Sequence, residues 1–217
     1  MSDRYPGYDV LAKRNSQSWN SQTRHVIDER LAIDPEAHRF FTDAEWAILQ
    51  AVCARIVPQP AARARPVPIA AMIDQKLVAD SGDGYRDTRL PPLRETWRRG
   101  LLALDAEARG MQKSAFSESN SVEQDAVLTA VQRGEAHDPS WGDMPPALFF
   151  AKRLLHDILN AYYAHPHSWN EIGFGGPAAP RGYVRMDFDR RDPWESSEAR
   201  PGRVEQAQRE NLSVGRR

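Results

Sequence analysis

Residues 145–163 read PPALFFAKRLLHDILNAYY, and this stretch decides the fold class of the 217-residue chain. Its two prolines suit the first turn of a helix, where a missing N–H group costs nothing. The apolar face that follows extends over about 18 residues, or about 27 Å of helix. Its members are Leu148, Ala151, Leu155, Ile158, Leu159 and Tyr162. We therefore expect this helix at the centre of an all-α protein.

Further helices are predicted upstream of this stretch. Residues 42–45 fit a capping box, and a second capping pattern at residues 121–124 opens another helix. Apolar residues at helical spacing also occur within residues 66–80 and 93–104. Since no stretch alternates as a strand would, the sequence predicts a single bundle of about five to seven helices with a Gly/Pro-rich loop.

The polarity of the chain divides it into three segments. Residues 1–40 are predicted to form a polar N-terminal arm with one helix, for which residues 20–32 have the composition. Residues 41–185 form the predicted helical domain. Residues 186–217 are charged and have few aliphatic side chains, so we expect a tail that is disordered or ordered only against a partner.

Composition and charge argue against several function classes. The 29 basic and 30 acidic residues give a formal charge of -1, so we expect no nucleic-acid partner. A local patch of Arg94, Arg98 and Arg99 is the one feature that would support such a partner. The single Cys53 lies on an apolar stripe, which favours a core role. No stretch approaches the ~18 apolar residues of a membrane span and no export signal is recognised, so we expect a chain that is cytoplasmic as synthesised.

The most unusual segment reads WNEIGFGGP, at residues 169–177. Its glycines suggest a phosphate cradle, but a dinucleotide fingerprint needs glycine where Ala178 stands, and Pro177 removes an amide donor. Aromatic residues and arginines around a stiff loop are instead typical of interfaces. The candidate partner-binding residues are Trp169, Asn170, Glu171, Phe174, Gly175, Gly176, Arg181, Tyr183 and Arg185. An equally open interpretation is a loop that folds back, so that its aromatic rings cap the chain's own core.

The alternative function is a stand-alone metal-dependent enzyme that uses His156, His165, His167 and Glu171. Together with Asp157, these residues offer the nitrogen and oxygen ligands that zinc or iron accepts. The spacing argues against it, because His156 and Asp157 are adjacent on a helix and diverge by about 100°. Since no serine nucleophile and no carboxylate pair stands out either, the sequence nominates no catalytic, cofactor-binding or metal-binding residue.

Three stretches of the chain point to a known family. They are residues 41–46 with 56–58, the region 101–128, and His165-Pro166 leading into residues 169–177. With these stretches the chain resembles the gluconate 2-dehydrogenase subunit 3 family over residues 40–185. The last stretch is the most specific of the three.

The resemblance implies a non-catalytic, all-helical small subunit without a cofactor of its own. Such a subunit binds a large flavin-dependent dehydrogenase subunit of the glucose-methanol-choline type, which carries FAD, and a cytochrome c subunit often anchors the complex in the membrane. Many members carry a twin-arginine signal, whereas this sequence has a polar arm in that place. The implied role is therefore to stabilise or mature the large subunit, in a complex that is periplasmic or membrane-associated if the two are exported together.

Overall fold

The computed structural model describes residues 3–177, 182, 185–188 and 190–215. Within these ranges the chain forms helices, turns and irregular segments but no strand, which confirms the all-α prediction. The chain divides into two compact units: unit 1 comprises residues 1–33 and 163–217, and unit 2 comprises residues 34–162. No helix in the described ranges is both long and apolar enough to cross a membrane.

Helices of four to 20 residues build the fold. In chain order they are α1 (Ser21–Leu31), α2 (Asp43–Ile56), α3 (Ile69–Val78), α4 (Leu93–Gln112), α5 (Ser121–Arg133), α6 (Pro146–Phe149), α7 (His156–Ala164), α8 (Pro166–Ile172) and α9 (Val204–Leu212). A π-helical segment, Phe150–Leu155, joins α6 to α7. Short 3-10 turns lie at Val10–Lys13, Phe116–Glu118 and Pro139–Trp141.

Capping side chains determine where two helices of unit 2 begin. At α2, the Thr42 hydroxyl accepts a hydrogen bond from the Glu45 backbone N–H, and the Glu45 carboxylate accepts one from the Thr42 backbone N–H, as predicted. At α5 the cap is Asn120, one residue before the predicted Ser121, because the Asn120 side chain accepts from the Glu123 backbone N–H. Both caps satisfy amide groups that a helix start otherwise leaves without partners.

In unit 2 the central position belongs to α4, whereas the sequence predicts the helix around α7 in that position. α4 packs against α2, α5 and α6. The sequence predicts a stripe of Leu93, Trp97, Leu101 and Leu104 on this helix; Leu93 is partly exposed and the other three are fully buried. The Phe149 ring lies edge-on to Trp97 with the ring centroids 6.1 Å apart. A Cβ atom at Gly100 would lie 2.1 Å from the Phe149 ring, so this approach requires glycine.

The π-helical segment changes which face of the following helix is buried. The sequence predicts Ala151 and Leu155 on the apolar face, but both are exposed. Phe149 and Leu154 are fully buried instead, whereas Ile158 is buried as predicted. A π turn hydrogen-bonds residue i to residue i+5, so Phe149 and Leu154 come to lie on one side. The extra residue in the turn therefore rotates part of the predicted stripe out of the core.

In the described residues, the two terminal segments fold together in unit 1. A buried cluster comprises Tyr8, Val10, Trp19, Ile27, Trp169 and Val214. The buried Asn211 side chain donates to the Pro6 carbonyl and accepts from the Ser197 backbone N–H. A few apolar side chains and one buried amide thus order residues 190–215 against residues 3–33. Such long-range contacts leave no mark in local composition.

Candidate functional site

The glycine loop begins where α8 ends. The N-cap of α8 is His165, whose ring accepts from the His167 backbone N–H, and Pro166 occupies the first turn. Gly173 closes the helix in the left-handed region with φ of 66°, a conformation that glycine adopts without steric cost. The sequence His-Pro before the helix and glycine after it therefore positions the loop from both ends.

The loop glycines permit close packing inside unit 1. A Cβ atom at Gly173 would lie 2.5 Å from the Tyr5 ring and 2.6 Å from the Ser196 hydroxyl. At Gly176, φ is 71°, and a Cβ atom would lie 2.8 Å from the Trp169 ring and 2.9 Å from the Trp19 ring. These contacts account for glycine at both positions without any bound phosphate.

Two of the predicted aromatic anchors lie against the core of unit 1. Trp169 is 2% exposed, and its indole N–H donates to the Tyr163 carbonyl over 2.7 Å. Phe174 is partly buried and lies edge-on to Trp169, with the ring centroids 5.4 Å apart. Tyr183 and Arg181 lie outside the described residues. For Trp169 and Phe174 the geometry corresponds to the interpretation in which the loop folds back onto its own core.

The remaining predicted partner-binding residues have different surroundings. The Asn170 amide oxygen accepts from the Val10 backbone N–H over 2.8 Å, so this side chain fixes the N-terminal segment. The Arg185 guanidinium forms a two-pronged ion pair with Glu195. Gly175 is partly exposed, Gly176 is buried, and Glu171 is exposed at the end of α8. Partner binding by these residues stays a prediction.

Sequence reasoning missed Lys13, which lies beside the loop. Its side chain is 1% exposed, donates to the Ser18 hydroxyl over 3.0 Å and lies 5.1 Å from the centroid of the Trp19 ring. Burial lowers the pKa of its ammonium group to about 8. Its nitrogen lies 3.3 Å from the position that a Cβ atom would take at Gly175. A lysine in a polar arm carries no sequence signal for such a position.

Of the histidines in the metal-site alternative, His165 has another role. The His165 Nε2 atom lies 3.0 Å from the Arg30 carbonyl, to which it donates, and its Nδ1 atom accepts from the His167 backbone N–H. Both ring nitrogens of His165 are therefore engaged. His156 belongs to unit 2, whereas the other proposed ligands belong to unit 1. The other candidate for chemistry, Cys53, is buried, and burial raises the pKa of its thiol, as expected for a core residue.

Unit 2 contains a buried polar cluster around Asp157, whose side chain is 0% exposed. Its carboxylate accepts from the Trp97 indole N–H over 3.0 Å and from the Lys76 ammonium over 3.1 Å. One oxygen lies 3.1 Å from His156 Nδ1. The Trp97 and Lys76 donors therefore satisfy the oxygens of this buried carboxylate.

The same cluster is the one metal-like grouping found in the described residues, formed by Asp83, His156 and Asp157. Their potential ligand atoms lie within 4.8 Å of one another. However, the Lys76 ammonium lies 2.7 Å from Asp83, and Arg153 lies 3.3 Å from Asp83. These two cations already balance the two carboxylates, so the geometry is that of an internal ion-pair network.

The arginines considered for nucleic acid are used inside unit 2. Arg94 donates to two carbonyl oxygens at the C-terminal end of α3, where a cation also favours the helix dipole. Arg98 donates to Glu45, and Arg99 donates to the Trp141 carbonyl. Each guanidinium therefore has a structural role in joining or closing helices.

The protein is all-α, and its distinctive motif is the glycine loop that begins where α8 ends. Residues 43–176 match the model of the family described as gluconate 2-dehydrogenase subunit 3. The match covers more than half of the chain, so the chain belongs to this family. No curated protein and no solved structure matches it. The match begins at the first residue of α2 and ends at Gly176, whereas residues 3–33 and 190–215 lie outside it.

Proposed function

We propose that this chain is a non-catalytic accessory subunit that binds a large flavin-dependent dehydrogenase subunit and stabilises or matures it. FAD is carried by that partner in this proposal, and the present chain holds no cofactor. The family match over residues 43–176 is the observation that carries the proposal. It supports membership of a gluconate dehydrogenase complex, and the partner's chemistry follows from the family resemblance.

The end of α8 is the partner-facing surface in this proposal. Glu171 is exposed and Ile172 is 46% exposed there. The Gly173 C-cap and the Ser196 hydroxyl, which donates to the Gly173 carbonyl over 2.7 Å, support this end from within unit 1. A pre-formed surface loses less entropy on docking than a flexible one. Charged groups beside apolar ones orient the partner as it binds.

The proposal extends to the compartment and to a third component. The complex includes a cytochrome c subunit and is periplasmic or membrane-associated when the partner is exported. Cell fractionation tests this part: the chain, the flavoprotein and haem should occur in one fraction. If haem occurs in a different fraction from the other two, the complex contains only this chain and the flavoprotein.

Co-purification tests the central part of the proposal. The chain is tagged, expressed at natural levels, and purified from its own cells without harsh detergent. We expect a large flavoprotein to elute with it, identified by mass spectrometry. Elution of the chain alone, with no flavoprotein in any fraction, would contradict the proposal.

A further inference from the structure

Four hydrogen-bond donors lie in or beside the middle of the glycine loop in unit 1. Two are side chains, the Lys13 ammonium and the Trp19 indole N–H, which are 1% and 2% exposed. The other two are the backbone N–H groups of Gly175 and Gly176. The Lys13 nitrogen faces Gly175 at 3.3 Å from the Cβ position, and the Trp19 ring faces Gly176 at 2.9 Å from its Cβ position.

These donors are short of acceptors. Lys13 uses one of its three N–H groups, on Ser18, and the Trp19 indole nitrogen is buried with no hydrogen-bond partner. Within the described ranges no acceptor is bonded to the amide of Gly175 or Gly176. Buried donors without acceptors are costly, and a buried ammonium without a counter-charge is more costly still. The arrangement therefore calls for an acceptor that carries negative charge.

We infer that Lys13, Trp19 and the Gly175–Gly176 backbone form a binding site for a carboxylate group. The site has one positive charge and three neutral donors, so a monoanion balances it, whereas a phosphate dianion would leave excess charge in a buried position. A carboxylate offers two oxygens with about four lone-pair sites, which matches the number of donors. Charge-assisted hydrogen bonds from Lys13 would supply most of the affinity.

Glycine at position 175 has a specific role in this site. It is partly exposed, whereas Lys13 is buried behind it. A Cβ atom at this position would lie 3.3 Å from the ammonium nitrogen, so glycine leaves the most room beside Lys13. The carboxylate reaches the site over the Gly175 backbone.

The carboxylate belongs either to a free small acid or to an acidic side chain of the partner subunit. In the second case the inference rests on the proposed function and names the partner group that docks on the loop. The chemistry at Lys13 and Trp19 is the same in both cases. Experiments on the chain alone and on the complex distinguish the two sources.

Formate is the probe for the chain alone. Thermal unfolding of the full chain is measured in sodium formate and in sodium chloride at equal ionic strength and pH 7. We expect formate to raise the unfolding midpoint more than chloride does, and the difference to saturate, because a ligand that binds only the folded state stabilises it by mass action. Equal effects of the two salts on the wild-type chain would overturn the inference.

Three variants locate the effect. Lys13→Met removes the charge and keeps the length of the side chain, and it should weaken formate binding by about tenfold or more. Trp19→Phe keeps an aromatic ring, removes the indole N–H, and should weaken binding by a smaller factor. Lys152→Met, at an exposed position in unit 2, is the matched control and should leave formate binding unchanged. Formate stabilisation that survives in Lys13→Met would also overturn the inference.

The complex decides the source of the carboxylate. If the partner supplies it, Lys13→Met should lose the co-purifying flavoprotein while Lys152→Met retains it. If a free acid supplies it, both variants should retain the flavoprotein, and formate binding should still depend on Lys13. A chain that purifies alone and nevertheless binds formate through Lys13 would contradict the proposed function and support the carboxylate site.

Discussion

At the scale of single residues, Gly100 lies where α4 passes closest to the Phe149 ring. Gly100→Ala should destabilise the protein by about 2–3 kcal/mol, because the added methyl group overpacks a core that has no room for it. Gly110→Ala is the control in the same helix, since nothing lies within 4 Å of a Cβ atom there. It should stabilise the helix by about 0.5–1 kcal/mol. Urea unfolding measures the free energy of unfolding of both variants. Equal values for the two would contradict the close contact between Gly100 and Phe149.

Lys13 should give the protein a distinctive pH dependence. Its pKa is about 8 in the folded chain against the usual 10.5. The folded state therefore releases this proton first, and below pH 8 the buried charge costs stability. As pH rises from about 8 towards 10.5, wild-type stability should increase relative to Lys13→Met by up to about 3 kcal/mol.

Urea unfolding at pH 7.5, 9 and 10 measures this difference. The pKa of Tyr8, near the same loop, is raised by burial, so its phenol favours folding below pH 10 and loses that effect at higher pH. The comparison with Lys13→Met cancels the contribution of Tyr8, because both chains contain it. If the difference in stability between the wild-type chain and Lys13→Met is constant over this pH range, burial does not lower the pKa of the Lys13 ammonium.

At the scale of elements, one carboxylate fixes the chain before α2. Asp74 in α3 is 1% exposed and accepts from the backbone N–H groups of Arg39, Phe40 and Phe41. Asp74→Ala should destabilise the protein by about 3 kcal/mol, since it leaves several amides without an acceptor. Asp43→Ala, whose side chain is fully exposed, should cost below about 1 kcal/mol. Thermal unfolding that shows the same midpoint for both variants would contradict this role.

The helices also show how far sequence reasoning extends. The Thr42 capping box and the Trp97 stripe were predictable, because caps and a 3.6-residue period are local properties. The burial of Leu154 in place of Leu155 was not, since a single π turn adds one residue without altering composition. The cap at Asn120 was misplaced by one residue, because Asn120 and Ser121 both favour that position.

For the candidate site, the loop itself was predictable and its surroundings were not. Adjacent glycines and aromatic residues indicated residues 169–177, and Gly173 indeed ends a helix. The burial of Lys13 and Trp169 depends on segments more than 100 residues apart in sequence, which no local pattern shows. The predicted domain boundaries at residues 41 and 185 stay predictions.

At the scale of the whole molecule, Glu171 tests the partner-facing surface. Glu171→Arg reverses the charge at the exposed end of α8 and should reduce the co-purified flavoprotein by about tenfold or more, because like charges across an interface repel. Glu29→Arg on α1 is the matched control, an exposed helical glutamate in the same unit but outside the family match. Circular dichroism should show both variants folded. Equal loss of the flavoprotein in both variants would contradict the proposal that the partner binds at the end of α8.

The flavin content of the complex tests the central claim most directly. The chain is purified at natural expression, and the absorption spectrum and FAD content are measured across the elution peak that contains it. The account predicts a flavin spectrum in that peak and FAD bound to a separate large polypeptide in a fixed ratio to this chain. A peak that contains this chain alone, without flavin, would contradict the assignment of an accessory subunit.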